Sequence, residues 1–154
     1  ILGRWFDCEA INLGFSGNAR MDRSMLEAIK RIDAQKYVIN CLPNCTQEII
    51  RDSAYHFMST LAKERPDVTI YMVENVEFTD RHINQRTAKD LVEKNRMWSD
   101  LYKQLRKEGY KNLRYIPSEG YVGTDDEHSV DGAHFTDLGF MRMAETFKKY
   151  LKKR

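Results

Sequence analysis

The densest chemistry in the sequence lies late, at Val130-Asp131-Gly132-Ala133-His134-Phe135-Thr136-Asp137-Leu138-Gly139. A carboxylate stands three residues before an imidazole, in a Gly-containing loop, and an amphipathic stretch follows at once. A short loop can hold both side chains on one side of the backbone, which suits an orienting acid and a general base. His134 would then take a proton from a hydroxyl nucleophile, and Asp131 would fix its tautomer and stabilise the imidazolium. Alone, an Asp and a His at this spacing also fit a solvated turn. The question for the rest of the chain is whether it supplies the remaining parts of an acyl-transfer site.

Ester cleavage builds negative charge on a carbonyl oxygen. A backbone N–H at a glycine turn and an Asn carboxamide are suitable donors to it. Gly17, in Asn12-Leu13-Gly14-Phe15-Ser16-Gly17-Asn18, and Asn44, in Leu42-Pro43-Asn44, offer those groups, although either also fits an ordinary turn. Gly14 and Gly17 let the backbone turn sharply and approach a ligand. Ser16 lies in a partial G-x-S-x-G pattern, but position 18 is Asn, so the nucleophile elbow is incomplete. Ser118 and Ser129 sit in loops near the histidine in sequence and have no nucleophile signature. Asp125, Asp126, His128, Asp131 and His134 crowd one stretch that could bind zinc or manganese, or form a solvated acidic turn. Glu74 and Glu77 follow a strand-like run and read as substrate contacts or as surface. His56 and His82 read as structural or surface residues, and Trp5 and Trp98 as core.

These residues need a scaffold. Leu2, Trp5 and Phe6 have helical spacing and read as the last turn of a helix. Residues 8–13 read as a short strand. A helix then follows, capped by Asp22 or Ser24, with Met25, Ile29 and Ile32 on one face. A second strand spans 36–42. Thr46 caps a helix with Ile50, Ala54, Phe57, Met58 and Leu61 in its stripe, ending before Pro66. A buried-type strand covers 68–73. After a polar loop, the longest helix runs from near Asn84 to Lys107, with Ala88, Leu91, Trp98, Leu101 and Leu105 facing inward and Gly109 ending it. A strand at 113–116 and a loop at 118–130 precede a final helix from about Thr136, with Phe140, Met143, Ala144, Phe147 and Leu151 as its buried face. Alternating strands and helices imply a parallel sheet covered by helices, with ligands at the carboxyl ends of the strands. Gly17, Asn44, the 74–80 loop and the Asp131–His134 loop each follow such a strand.

At 154 residues the chain fits one domain spanning 1–154. A net charge of +2 is too small to argue for nucleic acid, so Lys148, Lys149, Lys152, Lys153 and Arg154 read as a solvated helix end. No apolar run approaches the roughly 20 residues of a membrane span. Cys8, Cys41 and Cys45 are odd in number and lack a CxxC, so they read as buried strand thiols, with a Cys41–Cys45 pair or redox chemistry as the alternative. They do not settle the compartment.

Taken together, strand-NLGFSGN, strand-LPN and the late DGAHFTDLGF resemble the second, third and fifth blocks of the SGNH (GDSL-like) hydrolases, in order and over nearly the whole chain. INLGFSGN with LPN is most similar to the bacterial carbohydrate-associated branch of these acylhydrolases. The resemblance implies a flavodoxin-like three-layer α/β/α sandwich with a mostly parallel sheet. It implies an oxyanion hole from Gly17, Asn44 and the nucleophile's own N–H, with His134 as base and Asp131 as its partner. No cofactor is implied. The implied substrate is a small acyl (acetyl) ester, with carbohydrate as one source of the alcohol, and a periplasmic or secreted setting is favoured.

One block departs from the pattern. The family's Gly-Asp-Ser turn, which carries the nucleophile, is absent, and Ile1–Phe6 looks like the end of the helix that follows it. A segment on the order of 25 residues, one strand and most of a helix, is expected upstream of Ile1 and would carry the serine. Without that strand, those at 8–13 and 36–42 lack a shared neighbour, so the chain alone is expected to be inactive and poorly soluble, oligomeric or marginally folded. Two other classes remain open. One is an inactive fragment or binding module with the same fold. The other is a metal-dependent hydrolase using the 125–134 loop.

Overall fold

The computed structural model describes residues 1–151. The fold is α/β. Helices α1 (Leu2–Phe6) and α2 (Arg23–Ile29) precede strand β1 (Lys36–Ile39). Helix α3 (Gln47–Glu64), β2 (Thr69–Val73), α4 (Gln85–Lys107), β3 (Leu113–Ile116) and α5 (Asp137–Tyr150) follow in strict alternation until the last loop. Two compact units divide the chain: Gly14–Asn75 with Asp90–Pro117, and Ile1–Leu13 with Val76–Lys89 and the chain from Ser118 onward.

The first unit holds the sheet. Its order is β1-β2-β3 and both pairings are parallel. The register sets Tyr37 against Ile70 and Met72 against Tyr115. Four of the five β2 residues are buried, as a central parallel strand requires. Thr46 caps α3 by accepting from the Ile49 N–H at 3.3 Å, and the stripe Ile50, Ala54, Phe57, Met58 and Leu61 is buried as its period predicts. Asn84 accepts from the Thr87 N–H at 3.2 Å and so starts α4. Leu91, Trp98 and Leu105 are buried along that helix, and Gly109, at φ 101°, closes it. The second unit buries Val76, Tyr121, Val122, Ala144, Phe147 and Leu151, with Tyr121 edge-on to Phe147 at 5.5 Å.

Several expectations give way here. Residues 8–13 form no strand, and Ile11 is exposed. Short apolar alternation does not suffice to make a strand where no neighbouring strand takes up the backbone N–H and C=O groups. Strand β1 stops at Ile39, because Leu42–Asn44 turns into a 3₁₀ helix around Pro43. The buried residues of α2 are Leu26 and Ile29, and the helix ends before Ile32. On α5 Phe140 is exposed, and Thr146, which lies off the expected stripe, is buried. Trp5 is partly exposed, with the Lys148 ammonium 5.2 Å from its ring centre, whereas Trp98 is fully buried. Cys8 is exposed, Cys41 and Cys45 are buried off the strands, and all three are free thiols. The basic run Lys152, Lys153 and Arg154 lies outside the described residues.

Candidate active site

The 131–134 loop is closed by its own carboxylate. Asp131 Oδ1 accepts from the His134 N–H at 2.9 Å and the Ala133 N–H at 3.1 Å. Its Oδ2 lies 2.7 Å from His134 Nδ1. These bonds to the charged form hold the Asp131 carboxyl down at about 2, the backbone N–H of His134 first among the causes. A carboxylate only accepts, so Nδ1 must carry the ring proton. The neutral imidazole therefore presents Nε2 with a free lone pair, and with 85% of its side chain exposed that edge meets solvent.

The surrounding backbone holds this loop in place. The Val130 N–H donates to the His134 carbonyl at 2.8 Å, and Ser129 and Phe135 form an antiparallel bridge. The Thr136 N–H donates to the His128 carbonyl at 2.9 Å, while Thr136 Oγ1 accepts from the Gly139 N–H at 3.1 Å and so caps α5. Gly132 takes φ 99°, which a glycine adopts without strain, and its carbonyl accepts from the Thr79 N–H at 3.0 Å.

Gly17 and Asn44 come together in the other unit. A Cβ placed on Gly17 would lie 3.9 Å from Asn44 Oδ1. A half-turn of the carboxamide exchanges its oxygen and NH₂, so Asn44 can present a donor beside the glycine turn. Phe15, Ser16 and Gly17 take left-handed φ values of 51°, 45° and 86° in succession. For the two non-glycine residues that conformation is costly, and such strain concentrates at functional sites. Arg20 Nε donates to the Gly17 carbonyl at 3.2 Å and fixes the turn.

The remaining candidates are engaged elsewhere. Asp125 makes a two-pronged pair with Arg142 at 2.6 and 2.7 Å, which holds its carboxyl well below the usual range. Asp126 pairs with Arg81 at 2.6 Å. His128 is 3% exposed, with Nε2 3.3 Å from the Glu77 carbonyl. Among the described residues no three His, Cys, Asp or Glu side chains converge as a metal site would need. Glu77 pairs with Arg81 at 3.2 Å, and Glu74 accepts from the Tyr115 hydroxyl at 2.6 Å. His56 and His82 are exposed. Ser129 Oγ is buried without a partner, so it is not poised on the imidazole, and Ser16 is exposed in its strained turn. The sequence reading missed Arg20, Arg81 and Arg142. Their partners stand three, 45 and 17 residues away, and an exposed-looking arginine carries no local mark of such a bond.

The family model of the GDSL-like lipase/acylhydrolase family matches residues 1–152. A protein from Bacteroides ovatus named as a GDSL-like lipase is 34% identical, with a TM-score of 0.87, over 92% of this chain. This chain spans 42% of that protein's length. The salicylyl-acyltransferase SsfX3 of a tetracycline biosynthetic pathway shares the fold at 11% identity, with a TM-score of 0.75 over 96% of this chain and 46% of its own. Curated proteins offer no match to the sequence. The match over 1–152, with the parallel sheet and the glycine, Asn and Asp-His blocks in order, shows that the chain belongs to the GDSL-like lipase/acylhydrolase family.

Proposed function

We propose that the chain carries the base and oxyanion parts of a serine acyl-transfer site acting on esters. The observation that carries this reading is the 2.7 Å Asp131–His134 pair, whose carboxylate is locked by two backbone N–H groups while Nε2 faces outward. The nucleophile is a serine of the family's first block, which the 154 residues do not include. Its Oγ would attack the acyl carbonyl as Nε2 takes the proton. The carbonyl oxygen, now negative, would be held by the Gly17 N–H and the Asn44 carboxamide. Collapse would expel the alcohol, protonated by the imidazolium, and water or a second alcohol would release the acyl group by the reverse path. The substrates to try first are acetyl esters, including acetylated carbohydrates, as the glycine and Asn blocks suggest.

The test is hydrolysis of aryl acetates and acetylated sugars by the protein carrying these residues and its own first block. His134→Ala should lower kcat by about 10²–10⁴-fold. A variant that keeps wild-type kcat would remove His134 from the chemistry.

A further inference from the structure

Two thiols bracket Asn44. Cys41 precedes the 3₁₀ turn Leu42–Asn44 and Cys45 follows it. The Asn44 N–H donates to the Cys41 carbonyl at 3.0 Å, and the Cys45 N–H donates to the Leu42 carbonyl at 3.1 Å. That turn brings the two side chains together. Cys45 Sγ donates to the Cys41 carbonyl at 3.3 Å, and the two sulfurs are hydrogen-bond partners of one another. Both thiols are free and buried, whereas Cys8 is exposed. The pair also reaches the glycine turn, because Cys45 Sγ donates to the Ala19 carbonyl at 3.9 Å, two residues past Gly17. Residues 14–18 beside that carbonyl are all exposed and include the strained Phe15 and Ser16, so Cys45 is sealed from water at the end of one strained turn.

A sulfur reacts with oxidants as the thiolate. The hydrogen bond from Cys41 pulls the Cys45 thiol below its ordinary value, and the nearby positive charges of Lys94 and Arg20 pull the same way. The same bond, with burial, pushes the Cys41 thiol up. Cys45 is therefore the first of the two to ionise, and Cys41 keeps its proton beside it. That is the division between an attacking and a resolving thiol.

We infer that Cys41 and Cys45 are a redox-modification site: hydrogen peroxide joins them in a reversible disulfide that disables the Asn44 carboxamide enclosed between them. The Cys45 thiolate attacks the peroxide O–O bond. An S–O bond forms, the O–O bond breaks, and hydroxide leaves with a proton as water. The Cys41 sulfur then attacks the sulfenic sulfur, the S–S bond forms as the S–O bond breaks, and the Cys41 proton leaves with the hydroxide as a second water. Two thiols lose two electrons and two protons, and one peroxide becomes two waters. Bridging draws the sulfurs to about 2.05 Å and takes Cys45 Sγ away from the Cys41 and Ala19 carbonyls. The ring so closed spans only residues 41–45, so the turn changes shape with Asn44 inside it, and a strained bridge of this kind is readily reduced. The effect on activity rests on Asn44 acting as an oxyanion donor; formation of the bridge does not.

The test treats the protein with its serine block with hydrogen peroxide, alkylates it with iodoacetamide and digests it with trypsin. Cleavage after Lys36 and Arg51 releases one peptide, Tyr37–Arg51, that holds Cys41 and Cys45 and no other cysteine. After peroxide that peptide should be two hydrogens lighter and unalkylated, and dithiothreitol should restore both alkylation sites. Aryl acetate hydrolysis should fall by about 10²–10³-fold, as loss of an oxyanion donor does, and return with the reductant. Cys45→Ala and Cys41→Ala should each keep their rate through the same peroxide treatment, which separates the bridge from oxidation of methionines. A Tyr37–Arg51 peptide that stays alkylatable, or that takes up oxygen instead of bridging, overturns the inference. So does a bridged protein that retains its full rate, or a loss of rate that persists in both alanine variants. A reduced protein inactive on every ester overturns the hydrolase reading instead, while the peptide still reports on the bridge.

Discussion

Asp131 and His134, the proposed orienting acid and base, show how little sequence is needed to set a carboxylate on an imidazole. Four residues place a carboxylate where it caps two N–H groups and still reaches the imidazole at 2.7 Å. Asp131→Asn keeps the shape but loses the charge that fixes the ring proton on Nδ1, and kcat should fall by about 10²–10⁴-fold with KM little changed. Steady-state kinetics on an aryl acetate would show it. The same carboxylate makes the loop acid-sensitive. Its pKa falls from 3.8 to about 2 on folding, so the stabilisation is fully present above pH 3.8 and is lost as pH falls through about 2. The Ala133 and His134 amide resonances should therefore shift with a midpoint near 2, and a midpoint at the ordinary Asp value would deny the bond. On the proposed oxyanion side, Asn44→Ala should cost about 10²–10³-fold in kcat. That Asp131 meets His134 and Gly17 meets Asn44 was legible because each motif is local or falls in recognisable order. Arg81 and Arg142 were not, since nothing near Asp126 or Asp125 in sequence announces a partner 45 or 17 residues away.

At the scale of elements, the junction between the histidine loop and α5 decides whether the loop keeps its shape. Gly139 sits in the first turn of α5, where Ala ordinarily stabilises a helix by about 1 kcal/mol. Here the sign reverses, because a Cβ at 139 would run into the His128 carbonyl, which already accepts the Thr136 N–H. Gly139→Ala should lower stability by about 1–3 kcal/mol, as overpacking does, and reduce kcat with it. A melt and a rate measured on the same variant test this, and an unchanged or higher Tm would contradict it. Helices α3 and α4 were readable in advance because a 3.6-residue stripe, a cap and a stop agree at each. The strand expected over residues 8–13 failed because strand identity depends on a neighbour, which local pattern cannot report. Phe140 on α5 failed differently: it fits the stripe, but Phe135 in the loop offers it an aromatic partner outside the core.

Over the whole molecule, the alternation of strand and helix fixed the class, and the three parallel strands agree with it. The order of the glycine, Asn and Asp-His blocks carried the family, which the match over residues 1–152 shows. What composition and periodicity leave blank is the proposed nucleophile, because such a role would depend on one serine at one turn rather than on a pattern. Fluorophosphonate labelling followed by intact mass tests the central claim most directly. It compares the protein including its first block, the same protein with His134→Ala, and the 154-residue chain alone. The account predicts one adduct on a serine outside these residues, lost or strongly slowed by His134→Ala, and none on the short chain. An adduct on the short chain, or labelling indifferent to His134, would contradict it.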